Sequence, residues 1–186
     1  MSKLEVQRPG DIGNAFKAAV QDVLDFNNSF DWPEVHTFVY REIDGIKIEA
    51  DVWVRETSSN EKSESQPAKQ PTVLYIHRGG WMAGGRTDFP KPILHEFLTR
   101  GFVYVSIDYR LIPEVDFITG QLDDVRVIET WLRDRLQSSL VDRGVNVTVD
   151  TDAIVVAGGS AGAHLASFHG WCSHKKAQSS GFGNER

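Results

Sequence analysis

Apolar positions recur along this chain with changing periods, and each change marks a different kind of element. In residues 12–28, Ile12, Phe16, Ala19, Val20, Val23 and Leu24 fall three or four apart, which predicts an amphipathic helix ended by Asp31-Trp32-Pro33. Residues 36–42 and 46–55 alternate apolar and polar instead. Asp44-Gly45 between them suits the positive φ of a tight turn, so the pair predicts an antiparallel hairpin. Residues 56–71 are polar, rich in Ser, Glu and Lys and without period, and read as a solvated connector.

Beyond the connector the pattern becomes short continuous apolar runs at 72–76, 102–107 and 153–157, suited to parallel strands buried on both faces. Between them lie two helical patterns. One covers 92–100 and is stopped by Gly101; the other covers 117–137, with Ile118, Leu122, Val125, Ile128, Leu132 and Leu136 on one face. Strand–helix alternation of this kind predicts an α/β fold, an N-terminal antiparallel hairpin followed by parallel strands. Residues 171–186 (WCSHKKAQSSGFGNER) show neither a strand pattern nor an apolar helical face. The expected organisation is a helical segment over 1–30, an α/β domain over 31–170 and an irregular tail over 171–186.

Composition narrows the partners. With 186 residues, 40% of them hydrophobic and 25% charged, the chain has enough apolar surface for one packed domain. A net charge of -6 with no basic stripe argues against a nucleic-acid partner. The single Cys172 cannot form an internal disulfide. No apolar run suits a signal peptide or reaches the ~18 residues of a membrane span, so a soluble, cytoplasmic protein is expected.

Gly158-Gly159-Ser160-Ala161-Gly162 carries the most chemistry. It follows a predicted strand and opens a predicted helix, the context in which glycines allow a sharp turn that lifts a serine hydroxyl above the sheet edge. The helix N-terminus then offers N–H groups to a developing oxyanion. A bland alternative exists: a Gly-rich turn in which Ser160 only caps the helix. Two further motifs tip the balance, Tyr75-Ile76-His77-Arg78-Gly79-Gly80-Trp81 after the strand at 72–76, and Asp108-Tyr109-Arg110-Leu111-Ile112-Pro113-Glu114 after the next strand.

These three motifs, in this order and spacing, resemble HGGG, DYRLAPE and GDSAGG of the hormone-sensitive-lipase-like carboxylesterases, the alpha/beta hydrolase fold-3 family. The resemblance covers roughly residues 30–168. It implies a three-layer α/β-hydrolase sandwich and a serine hydrolase of carboxylic esters, with an acyl-enzyme formed on Ser160 and no metal or organic cofactor. Gly79, Gly80 and the Ala161 amide match the family's oxyanion-hole donors. His77 matches a histidine that holds the loop, and Asp108, Tyr109 and Arg110 match a supporting motif. Arg78 stands where the family has its first loop glycine. If that position needs positive φ, arginine costs on the order of 1 kcal/mol; if not, its side chain points outward.

The family's triad acid and histidine follow the nucleophile, and neither has a matching position here. The chain therefore reads as a shortened α/β-hydrolase lacking the C-terminal part of the sheet, either a truncated product or one with a replaced tail. Its last strand would have an open edge, with marginal solubility or pairing with a second copy as the consequence. Among other histidines, His164 is expected to pack between helix and sheet, and His95 and His36 to be packing or surface residues. His169, Cys172 and His174 fit no zinc spacing. Three alternatives accompany the ester hydrolase: an arylformamidase-like amide hydrolase, a non-catalytic fragment acting by association, and nucleotide binding, which the absence of G-x-G-x-x-G and of a Walker lysine disfavours.

Overall fold

A computed structural model describes residues 32–55 and 68–180, with residues 13–14, 17–22, 25 and 29 of the N-terminal segment; side chains are described as far as Gly170. The chain divides into two units, residues 1–33 and 34–186. The first is helical at 13–14, 17–22 and 25, inside the predicted span, whereas Ile12, Phe16, Val23 and Leu24 lie outside the described residues. So do residues 56–67 of the connector and 181–186 of the tail.

In the second unit, strands β1 (Val35–Ile43) and β2 (Ile46–Trp53) form the hairpin, with Ile43 paired to Ile46 across the turn. Asp44 and Gly45 both adopt positive φ, 52° and 78°, the mirror-image turn whose twist matches that of the strands. The ladder slips between Val39 and Arg41. Tyr40, left over at this bulge, is buried and donates its hydroxyl to the Asp108 carbonyl at 2.8 Å.

Three more strands follow: β3 (Gln70–Ile76), β4 (Val103–Ile107) and β5 (Val149–Gly158). The sheet order is β1-β2-β4-β3-β5, antiparallel across β1, β2 and β4 and parallel across β4, β3 and β5. The apolar runs of β3 and β4 are buried on both faces, as expected. β5 departs from expectation. It begins at Val149, bulges between Asp150 and Ile154 opposite Pro71-Thr72, and is mostly half-buried, with Val155 47% exposed. The reason is its place: it pairs with β3 on one side and, among the described residues, with no strand on the other.

Alternation along the strands separates two layers of packing. Leu74, Ile76, Val103, Val105 and Ile107 face a core shared with Val125, Ile128, Leu136 and Leu165. Tyr104 lies on the opposite face, ringed by Trp53, Phe89 and Phe97 at centroid distances of 5.9–6.3 Å. Helix α1 (Lys91–Thr99), which supplies Phe97 and buries Leu94 and Leu98, covers that face. Gly101, at φ 78°, closes α1 with the Phe102 N–H returning to the Phe97 carbonyl, so the expected stop holds.

The predicted helix over 117–137 is three pieces. A π-helical turn, Phe117–Gln121, is capped by the Asp116 carboxylate, which accepts from the N–H groups of Ile118 and Thr119. Helix α2 (Leu122–Asp134) follows, and a break at Arg135, marked by no Pro or Gly, precedes α3 (Leu136–Asp142). Leu122, Val125, Ile128, Leu132 and Leu136 are buried on the expected face, but Ile118 is 52% exposed because the π turn rotates it outward. Helix α4 (Ala161–Ser180) corrects the sequence reading at the C-terminal end, where residues 171–180 are helical instead of irregular.

Candidate active site

The turn between β5 and α4 is set by contacts that only glycine tolerates. A Cβ on Gly158 would stand 2.5 Å from the Gly162 carbonyl carbon, and one on Gly162 would stand 2.0 Å from the Ile76 carbonyl oxygen. With no side chain at either place, the first turn of α4 seats against the end of β3, and the Gly162 N–H reaches the Gly159 carbonyl at 2.9 Å. Between them Ser160 is held at φ 49° and is exposed. A left-handed non-glycine residue costs about 1–3 kcal/mol, and such strain persists only where the surroundings impose it.

The loop from 77 to 84 is positioned from below and behind. His77 is fully buried; its Nδ1–H donates to the Arg78 carbonyl at 2.6 Å and its ring stacks on Tyr109 at 4.2 Å. Burial pushes its pKa below the usual histidine value, so the ring is neutral at pH 7. The Tyr109 hydroxyl donates to the His77 carbonyl at 3.2 Å. Above this anchor Gly79, Gly80 and Trp81 adopt φ of 127°, 60° and 66°. Arg78 is not among the left-handed residues, so the arginine in place of a glycine carries no such strain. The unusual burden falls on Trp81. Its carbonyl is fixed by two donors, the Ile112 N–H at 2.9 Å and Nε2 of the buried Gln121, in the π turn, at 2.7 Å.

Asp108 and Arg110 lie in two ion-pair groups behind this loop. Asp108 accepts from the Arg86 N–H and guanidinium at 2.7 and 2.8 Å, and Arg86 also meets Asp51 and Glu49. The buried Asp124 is gripped by Arg110 and, at 2.6 Å, by Arg41.

Ser160 opens onto a cavity of about 470 Å³ lined by Tyr75, Arg78, Thr87, Asp88, Phe89, Pro90 and Gly159. Of these wall residues the sequence singled out only those in the two glycine motifs; Thr87–Pro90 carry no motif. Burial raises the Tyr75 hydroxyl pKa, with Arg78 pulling it back down and Asp88 pushing it up, so this pocket holds charges of both signs. A larger cavity, about 610 Å³, lies between the hairpin and residues 108–115, and Ser160 does not line it.

The histidines divide. His164, one turn past Ser160, does not pack on the sheet as expected. It is exposed among Trp81, Phe117 and Phe168, at centroid distances of 5.5, 5.0 and 4.6 Å. His169 is buried and its Nε2 meets Glu129 at 2.7 Å, joining α4 to α2. Burial alone would raise the Glu129 carboxyl, but Arg133 and His169 hold it below the usual range. The side chains of Cys172 and His174 lie outside the described residues, among which no group of ligating side chains could hold a metal ion. Among the described residues no histidine hydrogen-bonds the Ser160 hydroxyl.

The profile of one family, BD-FAE, matches residues 60–185, which take in the loop, the cavity wall and the Ser160 turn. The chain belongs to the BD-FAE family. Its fold is the α/β-hydrolase fold, in agreement with the resemblance read from the three motifs. A thermophilic esterase from the Planctomycetes species Thermogutta terrifontis superposes with a TM-score of 0.54 at 25% identity, covering 74% of this BD-FAE chain and 44% of that one. The same esterase phosphorylated by paraoxon gives a TM-score of 0.54 at 24% identity over 74% of this chain and 47% of that one. The described sheet is thus part of the fold seen there. Two further relatives are non-reducing polyketide synthases. That of Stereocaulon alpinum is 39% identical over 74% of this chain and 5% of its own length; that of Preussia isomera is 35% identical over 74% and 6%. The BD-FAE chain spans about a twentieth of these synthases. Among the described residues, no helix is long and apolar enough to cross a membrane.

Proposed function

We propose that this chain carries the nucleophile of a serine ester hydrolase, with Ser160 attacking a carboxylic ester carbonyl to form an acyl-enzyme. The supporting observation is the Ser160 turn itself: an exposed serine at φ 49°, between Gly158 and Gly162, opening onto a cavity. The oxyanion formed on attack would be met by the N–H groups of Gly79, Gly80 and Ala161, the first two in left-handed conformations and the third at the head of α4. No backbone carbonyl of the described residues takes the Gly79 or Gly80 N–H. His77, buried and tied to its own loop, acts by positioning; Tyr109 braces the loop through the His77 carbonyl, Asp108 holds the Arg86 N–H just past it, and Arg110 supports from further back through Asp124. The ester is a small molecule, and the chemistry calls for no cofactor.

Labelling with a fluorophosphonate, followed by peptide mass spectrometry, tests this reading, since such reagents need an activated serine. An adduct on Ser160, lost in Ser160→Ala, is expected; a folded chain that gives none removes the nucleophile assignment. The second reading, a non-catalytic module acting by association, is favoured by one observation, that no described histidine reaches Ser160. It requires that labelling fail while self-association or binding persists.

A further inference from the structure

We infer that the cavity beside Ser160 selects esters bearing a carboxylate, and that Arg78 is the residue that selects them. The inference rests on the reading of Ser160 as the reacting group and names the substrate class of that same site. Arg78 leaves the loop in ordinary backbone geometry. Its Cβ lies 3.7 Å from where a Cβ on Gly159 would stand, so the side chain springs from beside the serine turn. It lines the cavity that Ser160 opens onto and is exposed.

Five other arginines of the same unit set the contrast. Arg41, Arg86, Arg100, Arg110 and Arg133 each hold a carboxylate at 2.5–3.0 Å, whereas Arg126 and Arg135, which do not line this cavity, are in no ion pair among the described residues, like Arg78. Among the described residues Arg78 forms no ion pair, although Asp88 lines the same cavity. An anion entering here therefore meets a guanidinium whose donors are not already spent on a carboxylate, and Arg offers a planar fork that binds carboxylate in two parallel hydrogen bonds. The positive end of α4 at Ala161 adds in the same sense. Asp88 repels a negative group near it, which confines the carboxylate to the Arg78 end of the cavity. Tyr75 and Phe89 supply aromatic walls, so a benzoate-like group fits this chemistry better than a long aliphatic acid.

The test uses benzoate and benzamide, alike in shape and different in charge, titrated against the chain by NMR. Benzoate should bind about fivefold more tightly than benzamide, the scale of an exposed ion pair. That ratio should fall to about one in Arg78→Gln, persist in Arg78→Lys, and shrink in wild type as salt rises. Equal affinities in wild type, or a preference unchanged in Arg78→Gln, overturn the inference. Fluorophosphonate labelling in the same samples separates the two readings. An adduct on Ser160 without any benzoate preference removes the carboxylate subsite and keeps the nucleophile. A benzoate preference that depends on Arg78, with no adduct, keeps the subsite and removes the nucleophile.

Discussion

Behind the Ser160 turn and in front of it, the same kinds of side chain are used in opposite ways. Behind, Asp108, Arg110 and Asp124 are locked into ion pairs with Arg86 and Arg41, and Asp124 is fully buried. In front, Arg78 and Asp88 line an open cavity, exposed, and neither is in an ion pair among the described residues. A charge removed from water must be matched at once or it destabilises the fold, whereas one left in water keeps its bonding capacity for a ligand. The first region ties β1, β2 and α2 to the segment after β4. The second is available for recognition.

The sharpest way to break this distinction is to unpair the rear network. Asp124→Ala strands Arg110, leaves Arg41 with Asp123 alone, and should cost about 3 kcal/mol, the low end of the range for losing one member of a buried ion pair. Arg78→Gln, by contrast, should change stability by less than about 0.5 kcal/mol. Urea denaturation of both variants measures the gap, and similar losses in the two would erase the difference between the regions.

Next in size comes the backbone of the turn. Gly162→Ala drives a methyl into the Ile76 carbonyl and should cost about 2–3 kcal/mol, because neither backbone segment can yield alone. At Gly80 a Cβ meets nothing within 4 Å, so alanine there pays only for φ 60°, about 1 kcal/mol. If thermal melts rank the two the other way, steric seating of α4 on β3 is not what shapes the turn.

How much of this was readable beforehand follows from the kind of interaction involved. Asp44-Gly45 announced the hairpin because a two-residue turn with positive φ admits few residues, and the Gly158–Gly162 motif announced the turn for the same reason. β3 and β4 were legible as unbroken apolar runs. Trp81 was not: tryptophan gives no local hint of a left-handed backbone, and it is held there by Ile112 and Gln121, distant in sequence. The π turn at Phe117–Gln121 passed for ordinary helix, because one extra residue in a turn leaves the apolar spacing almost intact except at Ile118. Thr87–Pro90 form a wall only once α1 is in place. The helix at 171–180 lacks an apolar stripe to give it away, yet Lys, Ala and Gln are good helix formers and extend a helix already nucleated at Ala161.

A smaller effect tests His77, the joint between the two regions. Its ring is held neutral by burial in the folded chain but can take a proton near its ordinary value of 6.5 once unfolded. Folding stability from this group is therefore complete above pH 6.5 and drains as pH falls from there through the lower folded value. The slope is at most about 1.4 kcal/mol per pH unit. Stability profiles between pH 7.5 and about 5 should be steeper for wild type than for His77→Asn. Parallel profiles would mean that the ring is solvated and not an anchor for the loop.

The smallest expected effect bears on the front region alone. Asp88 and Arg78 share one cavity, and if their fields simply cancelled there, removing the carboxylate would leave a net cation and create an anion preference where none existed. If instead the anion sits at the Arg78 end, wild type already prefers it and Asp88 only trims the preference through water. Asp88→Asn should then raise the benzoate-to-benzamide affinity ratio about twofold, in keeping with a screened interaction of a few tenths of a kcal/mol between exposed groups. The neutral benzamide should bind both forms alike, and the gain should vanish at high salt. A tenfold or larger rise, from a starting ratio near one, would show Asp88 to be Arg78's partner in solution, and the front region would then be paired in the same manner as the rear.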